Sequence, residues 1–434
     1  MIKEQKTIDE KQEQYVMRSY SEEIQLEIDD VYGCPGHCPG CALSSLERKS
    51  FEPDMQFEIL ENSIKKLIEY VPTLKNLKKL NLTYGIADHF LMSNEYLAKT
   101  YNLGADLIEK TGLKNEYNGV FFTASMIGKH EIIMEKIKAL HEESLKRGVP
   151  VYVIAVLDPK QLLHKKFAEI YKKNIVEANR LLKKVDLSIN LSEEAIDKIS
   201  PQELYDFALM NNFDEVTINW TPTHDNMEFV YFDQNKMADW LIEFDRLISK
   251  EDDLATSYRP VMIKTINNLM CQSSDYYEDT LKETLNMQLR ETLSKSIQID
   301  DKGNLFPKYE AIGDIAHTPR LGIKPWGNVM EENTINDMLD SGLIQAERFI
   351  TKQFLSEPCM NCEYNKFCAN SGFHIYNYVI KGSKEFKHRV QENLIQNNCF
   401  HSGKKLFKHY FDMLKIEDEE KRSENNTNNT NNTK

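Results

Sequence analysis

Three cysteines fall within the run Cys34-Pro35-Gly36-His37-Cys38-Pro39-Gly40-Cys41, a C-x3-C-x2-C spacing. Three thiolates can hold three corners of a [4Fe-4S] cube and leave the fourth iron without a protein ligand. An open coordination position is what separates a reactive metal site from a closed structural one. Four thiolates, by contrast, close a cluster for electron transfer or structure. The competing reading is zinc, with His37 or a distant Cys as fourth ligand. Zinc motifs usually arrive as paired C-x2-C units or as Cys and His pairs, so a compact triplet with no second pair nearby fits zinc poorly.

A second set of thiols lies far downstream: Cys359-Met360-Asn361-Cys362, then Cys368, then Cys399. Seven of the eight cysteines belong to these two groups, and Cys271 alone reads as an ordinary thiol. Clustered Cys without a secretory signal suits the reducing cytosol, where it binds metal more often than it forms disulfides.

The elements that must position the first triplet follow from periodicity. Ile24-Gln25-Leu26-Glu27-Ile28 alternates with period two and predicts a first strand that delivers the Cys loop at its C-terminal end. Phe57, Leu60, Ile64, Leu67 and Ile68 recur at helical spacing. Further strands are predicted at 80–83, 120–123, 151–156, 187–190 and 216–219, with room for a helix between each pair, such as Glu131–Glu143 or Pro201–Asn211. Strand-helix alternation of this kind predicts βαβ units and a parallel sheet. Beyond about residue 250 the alternation stops. A polar helix-like stretch follows at 276–295, and the chain ends in an Asn/Thr-rich tail that cannot bury apolar surface.

The triplet and the six βα units resemble the radical S-adenosylmethionine (SAM) family. There the open iron is chelated by the amino and carboxylate groups of SAM. The resemblance implies an α/β fold, a partial (β/α)6 TIM-like barrel with a C-terminal Cys-rich auxiliary-cluster domain. It implies an N-terminal extension at 1–20, the barrel at 21–250, a helical connector at 251–296, the auxiliary domain at 297–416 and a disordered tail at 417–434. Cys34, Cys38 and Cys41 would ligate the SAM-binding cluster, although Gly40 stands where the family usually has an aromatic. Thr83-Tyr84-Gly85-Ile86-Ala87-Asp88-His89 corresponds to the family's Gly-Gly-Glu motif for the SAM amino group. Gly85 is the surviving Gly and Asp88 the candidate carboxylate. Thr123 and Ser125 after the third strand, and Asn190 after the fifth, are further candidates for SAM contact. Val156-Leu157-Asp158-Pro159 resembles the family's Ser-Leu-Asp-Gly-Pro, with Ala155 where a Ser often stands. Turns and strand-end caps account for such polar residues equally well, and His89 reads as a polar loop residue.

The downstream thiols resemble the SPASM extension of radical SAM enzymes that modify peptides. The thiols missing here are, in that family, those of the first auxiliary cluster; Gly372 replaces one of them. The resemblance therefore implies one auxiliary [4Fe-4S] cluster on Cys359, Cys362, Cys368 and Cys399, with structural zinc as the alternative. Asp301–Gly303 and Gly327-Asn328-Val329 resemble turn elements of the same extension.

The activity so implied is reductive cleavage of SAM to a 5′-deoxyadenosyl radical that abstracts hydrogen, with a peptide or protein as substrate and flavodoxin or ferredoxin as electron donor. The alternative is a non-catalytic iron–sulfur or zinc protein, a regulator or electron carrier on a retired barrel. A net charge of −14 argues against nucleic acid and anionic membrane surfaces. No apolar signal segment or 18-residue apolar run is visible, which leads to the expectation of a cytoplasmic protein. No His-Glu-x-x-His, P-loop or Gly-x-Ser-x-Gly occurs, so hydrolase and nucleotide-enzyme readings lack support.

Overall fold

The computed structural model describes residues 23–31, 34, 57–74, 77–85, 87–115, 118–157, 165–182, 185–191, 196–213, 215–219, 224–225, 228–229, 234–248, 255–256, 296–307, 325–341, 405–406, 408–410 and 412–413. Six strands, β1 (Glu23–Ile28), β2 (Lys79–Tyr84), β3 (Gly119–Ala124), β4 (Val151–Leu157), β5 (Val185–Asn190) and β6 (Glu215–Asn219), pair in parallel in their chain order. Between them run α1 (Phe57–Tyr70), α2 (Asn94–Lys110), α3 (His130–Arg147), α4 (Lys165–Leu182) and α5 (Pro201–Met210), and α6 (Gln234–Ile248) follows β6. Sequential strand order is the winding of a (β/α) barrel. A doubly wound sheet reverses order at a switch point.

The barrel is open. The outer edge of β6 is taken by β9 (Ala255–Thr256) and that of β1 by β10 (Ser296–Ile299), so β1 and β6 do not close on each other. β10 continues antiparallel into β11 (Asn304–Pro307) and β12 (Gly327–Asn328). Its turn is built by the Asp300 side chain, which accepts from the Lys302 and Asn304 amides, and by Gly303 at φ +78. A left-handed residue of that kind is where Gly costs least. A small hairpin, β7 (His224–Asp225) with β8 (Glu228–Phe229), stands apart from the main sheet. The α/β class and the partial barrel thus agree with the sequence reading. The Cys-rich auxiliary segment lies outside the described residues.

Pleating gives the sheet two unlike faces. Ile24, Leu26, Ile28, Leu80, Leu82, Tyr84, Val120, Phe122 and Ala124 are buried and lie in one core with Leu60, Ile64 and Leu67 of α1 and Leu97, Tyr101 and Leu107 of α2. A Cβ on Gly104 would sit 2.9 Å from both Leu82 and Val120, so α2 approaches β2 and β3 as closely as helix backbone allows. The alternate residues share the other face and mix polar side chains, Glu27, Thr83, Thr123, Asp186, Ser188, Thr217 and Gln298, with apolar Phe121, Tyr152, Ile154 and Val156. A closed barrel of this kind fills its interior with branched apolar side chains. The carboxylates, hydroxyls and amides on this face depart from that filling.

Candidate active site at the barrel mouth

Chain leaving β1 meets chain leaving β2 and β3 at the C-terminal ends of the strands. Cys34 is buried there. The backbone N–H of Asp88, in the turn after β2, donates to its sulfur at 3.5 Å. An N–H donor directed at sulfur suits a thiolate, the form in which Cys binds metal. The one member of the triplet that is described therefore fits a cluster ligand. Cys38 and Cys41 lie outside the described residues, as do Cys359, Cys362, Cys368 and Cys399. Among the described residues no group of three His, Cys, Asp or Glu side chains is arranged to hold a metal ion.

Asp88 caps a single 3-10 turn, His89–Leu91: its Oδ1 accepts from the Phe90 N–H at 3.1 Å. Its Oδ2 accepts from the Ser125 hydroxyl, which arrives from the exit of β3. Burial pushes the Asp88 carboxyl above the usual carboxylate range, and the bonds from Ser125 and Phe90 offset that only in part. Two of the sequence candidates, Asp88 and Ser125, are thus brought together, and their first partners are each other and the turn.

His89 departs from its sequence reading as a polar loop residue. It is fully buried, with Nε2 2.7 Å from Asp30 Oδ1 and Nδ1 3.3 Å from the Thr123 carbonyl oxygen. The Tyr96 hydroxyl of α2 donates to the other Asp30 oxygen at 2.7 Å. Thr123 contributes its carbonyl to this network, and its residue is half-buried on the inner face. The only sequence signal for the pair was Asp29-Asp30 directly after an apolar strand: carboxylates at the C-terminal end of a barrel strand occupy the functional face.

Gly85 sits where a side chain has no room. A Cβ there would fall 2.8 Å from Asp29 Oδ1 and 2.8 Å from Glu27 Oε1. Both carboxylates are buried, and both accept from the Gln298 side-chain amide at 3.0 Å. β10 therefore reaches back into the mouth and supports it, a contribution that its distance in sequence conceals.

The exit loop of β3 is held from α4. Asn174 Nδ2 donates to the Met126 and Gly128 carbonyls at 2.8 and 3.0 Å, while His130 Nδ1 donates to Asn174 Oδ1 at 2.8 Å. Met126 itself has φ +57, an uncommon left-handed conformation for a residue with a side chain. Strained backbone of this sort persists where the surroundings over-determine it, often at functional sites. Asn190 ends β5, paired in register with Asn219 of β6 at the same rim.

No protein-family model matches the chain, and no curated protein matches it. Solved structures do. The chain is similar to anSMEcpe with bound AdoMet, with a TM-score of 0.55 at 13% identity over 89% of this chain and 99% of that one. Native anSMEcpe with bound AdoMet and Kp18Cys peptide gives 0.55 at 12% identity, over 86% and 98%. Streptococcus suis SuiB bound to precursor peptide SuiA gives 0.53 at 14% identity, over 85% of this chain and 76% of that one. At such identities the likeness establishes a shared fold. No helix among the described residues is long and apolar enough to cross a membrane.

Proposed function

We propose that this chain is a radical SAM enzyme acting on a peptide or protein substrate. The observation that carries the reading is the placement of Cys34: buried at the C-terminal end of β1, with an N–H donor on its sulfur, in an open parallel barrel. The C-x3-C-x2-C spacing supplies the other two ligands, Cys38 and Cys41. Function in barrels of this type gathers at that end of the strands.

When bound, the cluster and SAM together supply a 5′-deoxyadenosyl radical able to take hydrogen from an unactivated carbon. The chain's own residues bind, orient and shield. Gly85, Thr123 and Asn190 would line the SAM pocket around the mouth, while Asp88 and Ser125 hold the turn beside the first cluster ligand. Apolar packing of the helices behind the sheet excludes water from the outer side of this rim. The inner face carries paired polar groups, Gln298 donating to Glu27 and Thr217 to Asp186, against which an entering peptide would lie. A peptide substrate is supported by fold analogy with proteins solved with peptides bound, which is an associational argument. One auxiliary cluster on Cys359, Cys362, Cys368 and Cys399, and reduction by flavodoxin or ferredoxin, complete the proposal.

A specific observation sustains the second reading, a non-catalytic iron–sulfur or zinc protein. Both oxygens of Asp88, the candidate carboxylate for the SAM ammonium, already accept hydrogen bonds within the protein. Anaerobic reconstitution followed by reductant and SAM separates the two. Formation of 5′-deoxyadenosine, lost in the triple Cys34/Cys38/Cys41→Ala variant, supports the enzyme; zinc in the site, or clusters that leave SAM intact, supports the binding protein.

A further inference from the structure

Residues 88–92, within the nine-residue link from β2 to α2, are fastened more heavily than such a connection requires. Asp88, His89, Phe90 and Met92 are all buried. Polar groups from four places hold them: Asp30 after β1 takes His89 Nε2, the Thr123 carbonyl faces Nδ1, Ser125 donates to Asp88, and Lys136 of α3 donates to the Met92 carbonyl. Burying polar groups is costly unless each is paired. So many paired groups in one short turn mark a conformation that must not relax. The turn so held directs the Asp88 N–H at the Cys34 sulfur.

We infer that Asp88, backed by His89 and Ser125, is a positioning residue whose carboxylate braces the turn and whose backbone N–H sets the reduction potential of the cluster that Cys34 ligates. This rests on the proposed reading of Cys34 as a cluster ligand. It also reassigns Asp88 from the role that the Gly-Gly-Glu resemblance implied, since one of its oxygens accepts from the Phe90 N–H and the other from the Ser125 hydroxyl. Hydrogen bonds to cluster sulfurs are among the determinants of potential. A donor withdraws charge from the sulfur and favours the more negative, reduced cluster, so its loss moves the midpoint to more negative values.

Two substitutions separate the roles. Asp88→Pro removes the N–H together with the bracing carboxylate, and the φ of −77 at this position is within the range of proline. Asp88→Asn keeps the N–H and can still accept from Phe90. The midpoint of the SAM-free cluster is titrated anaerobically in each, using the EPR signal that is absent from Cys34→Ala, with iron counted alongside. The expected result is a more negative midpoint for Asp88→Pro at unchanged iron, and wild-type midpoint and SAM affinity for Asp88→Asn. A wild-type midpoint in Asp88→Pro overturns the inference. So does a loss of SAM affinity of about tenfold or more in Asp88→Asn, which returns the carboxylate to SAM recognition. If Asp88→Pro does not hold iron, wild-type protein labelled with 15N-aspartate decides: the reduced SAM-free cluster must show a 15N hyperfine coupling, and its absence overturns the inference. If every cluster signal of the wild type survives in Cys34→Ala, the cluster reading fails first, and this inference with it.

Discussion

His89 and Asp30 meet at 2.7 Å with neither side chain reaching solvent. Both ring nitrogens of His89 face acceptors, Asp30 on one side and the Thr123 carbonyl on the other, an arrangement satisfied by an imidazolium. The pair ties the β1 exit to the β2 exit and lies directly behind the turn that touches Cys34.

A dependence of stability on pH follows. Burial is the largest influence on His89 and pushes its pKa down, but the charge and hydrogen bond of Asp30 prevail and leave it raised. A group whose folded pKa exceeds its unfolded value contributes stability that is complete below the unfolded pKa and is lost as pH rises through the folded one. The share of stability due to His89 should therefore decline as pH is raised above about 6.5. Urea unfolding across that range checks it: His89→Gln should show a shallower decline than wild type, and parallel curves would contradict the assignment.

Removing one partner of this pair leaves the other buried and uncompensated. Asp30→Ala should cost about 3–5 kcal/mol. Tyr96→Phe, which deletes one neutral donor to the same carboxylate, should cost nearer 1 kcal/mol. Denaturant midpoints of the two variants measure both, and equal costs would mean that Asp30 is not paired with a charge.

Gly85 is a packing requirement as well as a turn residue. Gly85→Ala places a methyl 2.8 Å from the Glu27 and Asp29 carboxylates and must displace them from Gln298. Overpacking of this kind costs about 1–3 kcal/mol, and SAM binding should weaken with it. A Gly85→Ala protein with wild-type stability and SAM affinity would show that the mouth is looser than described.

The downstream thiols make a separate prediction. If they hold one auxiliary cluster, reconstituted wild type contains about eight irons and the Cys34/Cys38/Cys41→Ala variant about four. Zinc in place of the residual four irons would mean a structural metal site.

The barrel was legible in the sequence because each strand buries one face under helices, so β1, with Ile24, Leu26 and Ile28 alternating, announces both its existence and its orientation. Helix α1 was readable from apolar spacing, α3 and α5 from the room between predicted strands, and in the structure a Ser200-to-Glu203 capping box starts α5. Long-range partnership was not readable. β9 has two residues, too few to show a period, and β10 joins β1 across some 270 residues of chain. His89 looked like a loop residue because local sequence carries no record of Asp30 and Thr123 converging on it. Asp88 was found by position, yet its partners gave it a different duty from the one its type suggested.

The claim at the centre of this account is that Cys34 belongs to a cluster with one iron open to SAM. The most direct test is the EPR spectrum of the reduced N-terminal cluster before and after SAM is added without oxygen. SAM should change the g values of a signal that disappears in the Cys34/Cys38/Cys41→Ala variant. If that same signal, the one lost in the variant, is indifferent to SAM, its irons are already fully ligated and the enzymatic reading fails.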